Sequence, residues 1–129
     1  MVEFLTQEWC DETVKVATEH MTERPGSSVR LQYRIIGAPL NDGLYWWIVD
    51  EGRLTDAGIG ELENAEVTLI MAYEDSLEIQ QSKLDPQVAF MQGRMKVEGD
   101  MMKLMALLPI TGSPDYDTVQ RTTTERTTF

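Results

Sequence analysis

The sequence predicts an α+β fold of two layers, in which helices cover one face of a β-sheet. Apolar residues alternate with charged or polar residues at positions 29–35 and 94–98, a pattern typical of strands with one solvated face. Capping residues that begin helices stand at Thr6, Asp85 and Asp100. Because two strands have one clearly polar side, we expect the helices on the opposite face only, as in other two-layer domains.

The first half of the chain is predicted to form one helix followed by three strands. Thr6 is the expected N-cap of the helix, and Glu8 lies in its positively polarised first turn. Residues 50–52, Asp-Glu-Gly, are typical of a tight hairpin turn. The predicted elements are a helix from residue 7 that stops before the Pro-Gly-Ser segment at 24–28, and strands at residues 29–35, 44–49 and 53–58.

The second half is predicted to alternate strands with short helices. Asp85 caps a helix that begins at Pro86 and is ended by Gly93 in the left-handed conformation. Asp100 caps the last long helix, whose apolar stripe extends to Leu108. The predicted elements are strands at residues 67–73 and 94–98, and helices at residues 74–82, 86–92 and 101–108.

Length and composition predict one domain followed by a polar tail. The 129 residues match the size of a single domain that can bury a core without disulfides. Threonines dominate the end of the chain. We therefore predict a domain of residues 1–112 and a polar C-terminal tail of residues 113–129, with a short helix compatible with the sequence from Pro114.

The sequence predicts a cytoplasmic protein. The single cysteine cannot form an internal disulfide, which fits a reducing compartment but also a secreted chain without bridges. No basic segment leads into an apolar run at the N-terminus, and the apolar runs are too short to span a membrane. The net charge of −11 repels phosphate backbones, so nucleic acid is not an expected partner.

No residue pattern indicates a catalytic or metal-binding site, and no cofactor is expected. His20 lies on a polar helical stretch and is interpreted as a surface residue. Cys10 lies near a helix N-terminus, which can lower a thiol pKa, but the lone histidine is too far along the same helix to activate it. The acidic pairs at residues 50–51 and 74–75 are explained by turn and helix-cap roles.

Residues 84–109 are rich in methionine, and the predicted function depends on whether these methionines fill a core or line a ligand cavity. Five of the eight methionines of the chain occur there, at positions 91, 95, 101, 102 and 105. One interpretation is that these side chains fill a core. The other is that they line a ligand cavity, because flexible methionines repack around different guests. The residues alone leave both interpretations open.

Residues 65–105 resemble the signature of the sterol carrier protein type two family. The similarity lies in the sequences VTLIM at 67–71, KLDPQ at 83–87 and AFMQGRMKVEGDM at 89–101. Together they match a family pattern of a strand, a lysine, a proline-containing helix cap, an apolar pair before a glycine, and a lysine followed by glycine and methionine. The similarity is weaker around residues 46–52, and residues 4–9 resemble small stand-alone bacterial members.

The resemblance implies a five-stranded, mostly antiparallel twisted sheet under a layer of helices, with an apolar tunnel between the two layers. It also implies non-catalytic binding and transfer of fatty acids, fatty acyl-CoA, phospholipids or sterol-like lipids. The tunnel wall implied by position consists of Leu77, Phe90, Met91, Met95, Met101, Met102, Met105 and Leu108. The strand alternation adds Tyr33, Trp47, Leu69 and Met71 on the inner face of the sheet.

The helix predicted at residues 74–82 departs from the family pattern because it is more polar. If Gln80 or Gln81 points inward, it narrows the tunnel or offers hydrogen bonds, which favours a flexible acyl chain or a polar isoprenoid over a rigid sterol. Ligand entry requires a mobile element, and the last helix and the tail are the candidates for a lid.

Two alternative functions stay open. An accessory or scaffold subunit of a lipid- or isoprenoid-modifying enzyme system would expose an apolar patch instead of enclosing a tunnel. A small enzyme acting on a hydrophobic substrate would need converging polar groups, such as Gln80 with Tyr33 or Asp50. Transient contact with a membrane or an enzyme is a further expectation for a carrier.

Overall fold

A computed structural model describes residues 1–107 and 113–129 of the chain. The helices are α1 (Gln7–His20), α2 (Tyr73–Gln80), α3 (Pro86–Met91), α4 (Met101–Met105) and α5 (Pro114–Glu125). The strands are β1 (Val2–Glu3), β2 (Val29–Ile36), β3 (Leu44–Asp50), β4 (Arg53–Ile59), β5 (Val67–Ala72), β6 (Met95–Gly99) and β7 (Thr127–Thr128). Within this described part, no helix has the length and apolar character needed to cross a membrane.

Three helices begin at the capping residues that the sequence predicts. Thr6 Oγ1 accepts a hydrogen bond from the backbone N–H three residues further on, at 3.2 Å. Asp85 Oδ1 accepts from the N–H two residues on, at 2.7 Å. Asp100 Oδ1 accepts from the N–H groups two and three residues on, at 2.9 and 3.2 Å. Each bond pairs an N–H that the first turn of a helix leaves free, so local chemistry sets these helix ends.

Five strands form one sheet in the order β4-β3-β2-β5-β6. β2 and β5 run parallel, and the other three neighbouring pairs are antiparallel, which confirms the predicted mostly antiparallel sheet. β3 and β4 form the predicted hairpin, whose turn holds Glu51 and Gly52 at φ angles of 50° and 83°. The parallel pair places β2 beside β5, the strand that precedes the methionine-rich segment.

The strand register gathers the apolar side chains on one face of this sheet. Tyr33 lies opposite Tyr45 of β3 and Leu69 of β5, and Leu69 lies opposite Val97 of β6. The buried core continues from these strands into α1, where Trp9 is fully buried. The helices therefore cover the face that carries these residues, as the two-layer prediction requires.

One polar residue of β2 is buried, although its face was expected to be solvated. Gln32 is only 5% exposed. Its Nε2 donates to the carbonyl oxygen of Gly60 at 3.1 Å, and its Oε1 accepts from the N–H of Leu62 at 2.7 Å. The loop after β4 crosses over the Gln32 side chain, and these two hydrogen bonds hold the loop to the sheet. The prediction that this face of β2 is exposed to solvent is therefore wrong at Gln32.

Residues 113–129, predicted as a polar tail, contain α5 and β7. α5 packs on α1, and β7 pairs in parallel with β1. Arg126 forms a 2.7 Å ion pair with Glu12 of α1. Gln120 of α5 donates a hydrogen bond to the backbone carbonyl of Ile79 in α2. The short helix from Pro114 is present and docked, while the division of the chain after residue 112 stays a prediction.

The helix after Asp100 is shorter than predicted. α4 ends at Met105, whereas the predicted apolar stripe continued to Leu108, which lies outside the described residues. The N–H of Leu107 bonds to the carbonyl of Leu104 at 2.9 Å, a tight turn that is common at a helix end.

Two glycines with similar backbone angles provide a matched test of packing at the end of β6. Gly60 and Gly99 have φ angles of 100° and 106°, but an added Cβ would meet open space at Gly60 and the carbonyl oxygen of Glu66 at Gly99. We expect Gly60→Ala to lower the free energy of unfolding by about 1 kcal/mol through backbone strain. Gly99→Ala should lower it by at least about 1 kcal/mol more.

Urea unfolding followed by tryptophan fluorescence measures both free energies. Equal losses in the two variants would show that Gly99 does not pack tightly against Glu66.

Candidate functional site

A cavity of about 290 Å³ lies between the sheet and the helices α2 to α5. Its volume is at the lower end of the range found for small-molecule pockets. The roof over β5 and β6 is built from short segments, since α3 and α4 have six and five residues.

The floor of the cavity is the inner face of the sheet. Because side chains alternate along a strand, each strand contributes every second residue to this floor. The floor residues are Tyr33, Tyr45, Trp47, Leu69, Met71, Met95 and Val97. In the order of the strands, the aromatic residues lie on β3 and β2, and the aliphatic and sulfur-containing residues lie on β5 and β6. The cavity therefore has an aromatic side and a methionine side.

The roof is supplied by four helices and the segment after α4. Its residues are Ser76, Ile79 and Gln80 of α2; Pro86, Gln87, Phe90 and Met91 of α3; Met101, Leu104 and Met105 of α4; Leu107; and Tyr116 of α5.

Arg94 forms ion pairs with Asp75 and Glu78 of α2, and these pairs fix α2 to the segment before β6. We call this arrangement the Arg94 fork. Arg94 Nε and Nη2 donate to Asp75 Oδ1 at 2.9 and 2.6 Å, and Nη2 also donates to Glu78 Oε2 at 2.6 Å. The hydrogen bonds to Asp75 and then to Glu78 raise the pKa of Arg94. Both carboxylates lie on one side of α2, three residues apart, which leaves Ser76 and Ile79 to line the cavity.

Most of the predicted wall residues line this cavity. They are Tyr33, Trp47, Leu69, Met71, Phe90, Met91, Met95, Met101 and Met105. Met102 does not line it and is 83% exposed, because its position falls outside the stripe shared by Met101 and Met105. Leu77 packs against the core instead of the cavity. Leu108 lies outside the described residues, and the binding role of the whole set stays a prediction.

Several lining residues were missed from the sequence. Tyr45 is two positions from Trp47 on the same strand, so the alternation that indicated Trp47 also applies to Tyr45. The same reasoning applies to Val97 on β6, and Leu104 belongs to the predicted stripe of α4. Tyr116 had no such signal because it lies in a polar, threonine-rich segment.

Side chains of α3 and α4 line the cavity and also contact solvent. Phe90, Met91, Met101 and Met105 are between 44% and 83% exposed, although each is apolar. We call these four residues the methionine rim. They mark the edge at which the cavity is accessible from outside the protein.

Three tyrosines, Tyr33, Tyr45 and Tyr116, line the cavity on or beside its aromatic side. The rings of Tyr33 and Tyr45 are stacked, with centroids 4.4 Å apart and an interplanar angle of 7°. Burial raises the pKa of Tyr33 and of Tyr45, and burial together with the charge of Asp85 raises the pKa of Tyr116 to about 12. All three phenols are therefore uncharged at neutral pH.

A smaller hollow of about 50 Å³ adjoins the cavity beneath α1 and α5. Trp47, Gln80 and Tyr116 line both spaces and separate them at the aromatic side. Of the two glutamines considered as inward-pointing, Gln80 lines the cavity and Gln81 does not.

The described residues contain no group of three histidine, cysteine or acidic side chains that could hold a metal ion. Burial and then the charge of Asp11 raise the pKa of the Cys10 thiol to about 12. A neutral, fully buried thiol is a poor nucleophile. His20 is exposed in the last turn of α1, as predicted.

The burial of Cys10 can be tested by alkylation. At about pH 8 we expect iodoacetamide to modify the folded protein at least about a hundredfold more slowly than the protein unfolded in urea, because the folded thiol is neutral and inaccessible. Mass spectrometry of timed samples measures both rates. Equal rates would mean that α1 opens readily in the folded state.

A model of the SCP-2 sterol transfer family matches residues 14–111. The chain is 34% identical over 62 residues to sterol carrier protein 2 of Gallus gallus, a match that covers 47% of this chain and 11% of that protein. It is 49% identical over 39 residues to peroxisomal multifunctional enzyme type 2 of Mus musculus, covering 30% of this chain and 5% of the enzyme. The matched segments thus span only a small part of these relatives.

Solved structures show the same fold. A solution structure from Thermus thermophilus, described as possibly a sterol carrier protein, is 18% identical and covers 95% of this chain and 91% of that one, with a TM-score of 0.65. The solution structure of palmitated SCP2L2 from Aedes aegypti is 22% identical, covers 82% of this chain and 89% of that one, and has a TM-score of 0.55.

Proposed function

The chain belongs to the SCP-2 sterol transfer family, and from this premise we propose that it binds one hydrophobic small molecule in the cavity and transfers it without catalysis. Lipid binding and transfer is the general function of the family. The proposed ligands are a fatty acid, a fatty acyl-CoA, a phospholipid or a sterol-like lipid.

The observation that carries the proposal is the cavity itself. It is lined by apolar side chains from both layers of the fold, and the methionine rim leaves it accessible from solvent. Burying apolar ligand surface in such a space stabilises the complex by about 0.8 kcal/mol for each methylene group. Binding also has to overcome the lost freedom of the ligand, so the net affinity of a chain that only partly fills the cavity is modest. Modest affinity suits a protein that must release its ligand.

The lining favours a flexible ligand over a rigid one. Methionine has three rotatable bonds and adapts to different shapes, and Met71, Met91, Met95, Met101 and Met105 all line the cavity. Gln80 forms part of the cavity wall on the aromatic side, where Trp47 and Tyr116 also lie. A volume of about 290 Å³ accommodates part of a long chain without rearrangement. The short helix α4 is the element that we propose to move when a larger ligand enters.

Affinity should depend on chain length. In a series of saturated lipids with one head group, we expect each added methylene to tighten binding by up to about fourfold until the cavity is full, after which affinity levels off. Displacement of the neutral fluorescent dye Nile red measures the series. A series without any dependence on length would contradict binding in an apolar cavity.

A bulky substitution on the floor should block binding. Leu69 is buried on the inner face of β5, and Ile70 follows it on the outer face. We expect Leu69→Trp to weaken the binding of Nile red and of lipids by at least about tenfold, because the indole occupies the space that the ligand needs. Ile70→Trp adds the same group on the opposite face and should leave both affinities within about twofold of the unchanged protein.

Urea unfolding of both variants controls for loss of the fold. If folded Leu69→Trp protein binds as tightly as the unchanged protein, the ligand does not occupy this cavity.

A second candidate function is that of an accessory subunit in a lipid- or isoprenoid-modifying enzyme system. Its support is the exposure of Met91 and Met102, each 83% exposed on the helices beside the cavity. Exposed apolar side chains of this kind are typical of surfaces that meet a protein or a membrane. A partner that stays bound through purification and shields Met102 from oxidation would favour this function over that of a free carrier.

A further inference from the structure

The aromatic side of the cavity carries neutral polar groups, one of which is buried without a hydrogen-bond partner within residues 1–107 and 113–129. They are the indole N–H of Trp47, which is buried, together with the hydroxyls of Tyr33, Tyr45 and Tyr116 and the side-chain amide of Gln80, all from residues that line the cavity. We call these five groups the tyrosine cluster. A buried polar group without a partner, such as the Trp47 N–H, is rare in protein interiors, and further hydrogen-bonding groups around the same cavity indicate that water or a ligand from outside the chain pairs with them.

The members of the tyrosine cluster come from four different elements and meet at one place. Tyr33 of β2 and Tyr45 of β3 stack ring on ring. Trp47, Gln80 and Tyr116 form the partition between the cavity and the smaller hollow. Besides the larger effect of burial, Tyr116 contributes to the raised pKa of Tyr33, and both contribute to that of Tyr45, so the phenols lie close enough to act on one another.

The described part of the cavity lining offers no positive charge to a ligand. None of its described lining residues is lysine, arginine or histidine. Residues 108–112, Leu-Pro-Ile-Thr-Gly, contain no ionisable side chain. Besides the larger effect of burial, the negative charge of Asp85 raises the pKa of Tyr116. A ligand carboxylate buried here would lose its hydration without gaining a cation.

We infer that the tyrosine cluster binds a neutral, oxygen-bearing head group, the hydroxyl or carbonyl of a lipid alcohol, ketone or ester, and selects it over a carboxylate. The ligand then lies head-first, with its oxygen among the phenols and its chain along the methionine side toward the methionine rim. Phenol hydroxyls suit this role because they both donate and accept hydrogen bonds. The inference rests on the proposed function and specifies its ligand class.

A set of ligands with the same chain length tests the selectivity. The set consists of a saturated alcohol, its methyl ester, its carboxylic acid and the alkane, each titrated against Nile red at about pH 8, where the free acid is ionised. We expect the alcohol and the ester to bind at least about threefold tighter than the alkane, because they satisfy groups that the alkane leaves unpaired. The acid should bind at least about tenfold more weakly than the alcohol.

A hydroxyl deletion locates the head group. Tyr116→Phe removes one phenol oxygen of the cluster, and Tyr73→Phe removes one from a tyrosine that packs beside Phe4 outside the cavity lining. We expect Tyr116→Phe to weaken alcohol binding by about threefold to tenfold and to leave alkane binding unchanged. Tyr73→Phe should change neither affinity. Tyr33→Phe is a second cluster variant in case Tyr116→Phe disturbs α5, and urea unfolding checks the fold of all three.

The outcomes separate this inference from the proposed function. If the alkane, the alcohol and the acid bind alike, or if the acid binds tightest, the inference is wrong while lipid binding stands. If the alcohol is preferred but neither cluster variant changes its affinity, the head group lies elsewhere and the inference is again wrong. If no member of the set displaces Nile red, both the inference and the proposed function fail.

Discussion

The register of the five-stranded sheet is the constraint on which the cavity depends. In β2, β3, β5 and β6, every second side chain faces the helices, and the register sets Tyr33, Tyr45, Leu69 and Val97 side by side on that face. A slip of one residue in β2 would turn Arg34 inward and remove Tyr33 from the floor. The aromatic side and the methionine side of the cavity are therefore consequences of strand order combined with a period of two.

The helical layer consists of a part that closes on the sheet and a part that does not. α1 and α5 pack on each other, and Trp9, Val16 and Val119 are buried there. α3 and α4 are single short helices whose methionines remain largely exposed. Because an isolated helix of five or six residues is unstable without tertiary packing, these segments depend on their caps and on the Arg94 fork nearby. Stability and cavity space thus come from different regions of one layer.

The sequence predicts those features that follow from short-range rules. Alternation is unambiguous in strands, so Tyr33 and Leu69 could be assigned to the inner face, and helix starts followed from capping residues. The resemblance to the family placed Met102 in the wall although it is exposed, and the period of a very short helix does not define its inner face well enough to correct that placement. Gln32 and Tyr116 depend on a loop and a helix that return from distant positions, and no local pattern reports such contacts.

The tyrosine cluster changes how binding energy is distributed in an otherwise apolar cavity. A polar group that is buried and unpaired among the described residues, such as the Trp47 indole N–H, destabilises the empty protein by about 1–3 kcal/mol unless water or a ligand pairs with it. A ligand oxygen that pairs with the cluster removes part of this cost, and the chain adds the gain from methylene burial along the methionine side. In the proposed complex, the first contribution depends on head-group chemistry and the second on chain length, so the two sides of the cavity would select for different properties of one molecule. A ligand with only one of these properties would gain only one contribution and would be released more readily, which is the behaviour that the proposed function as a selective carrier requires.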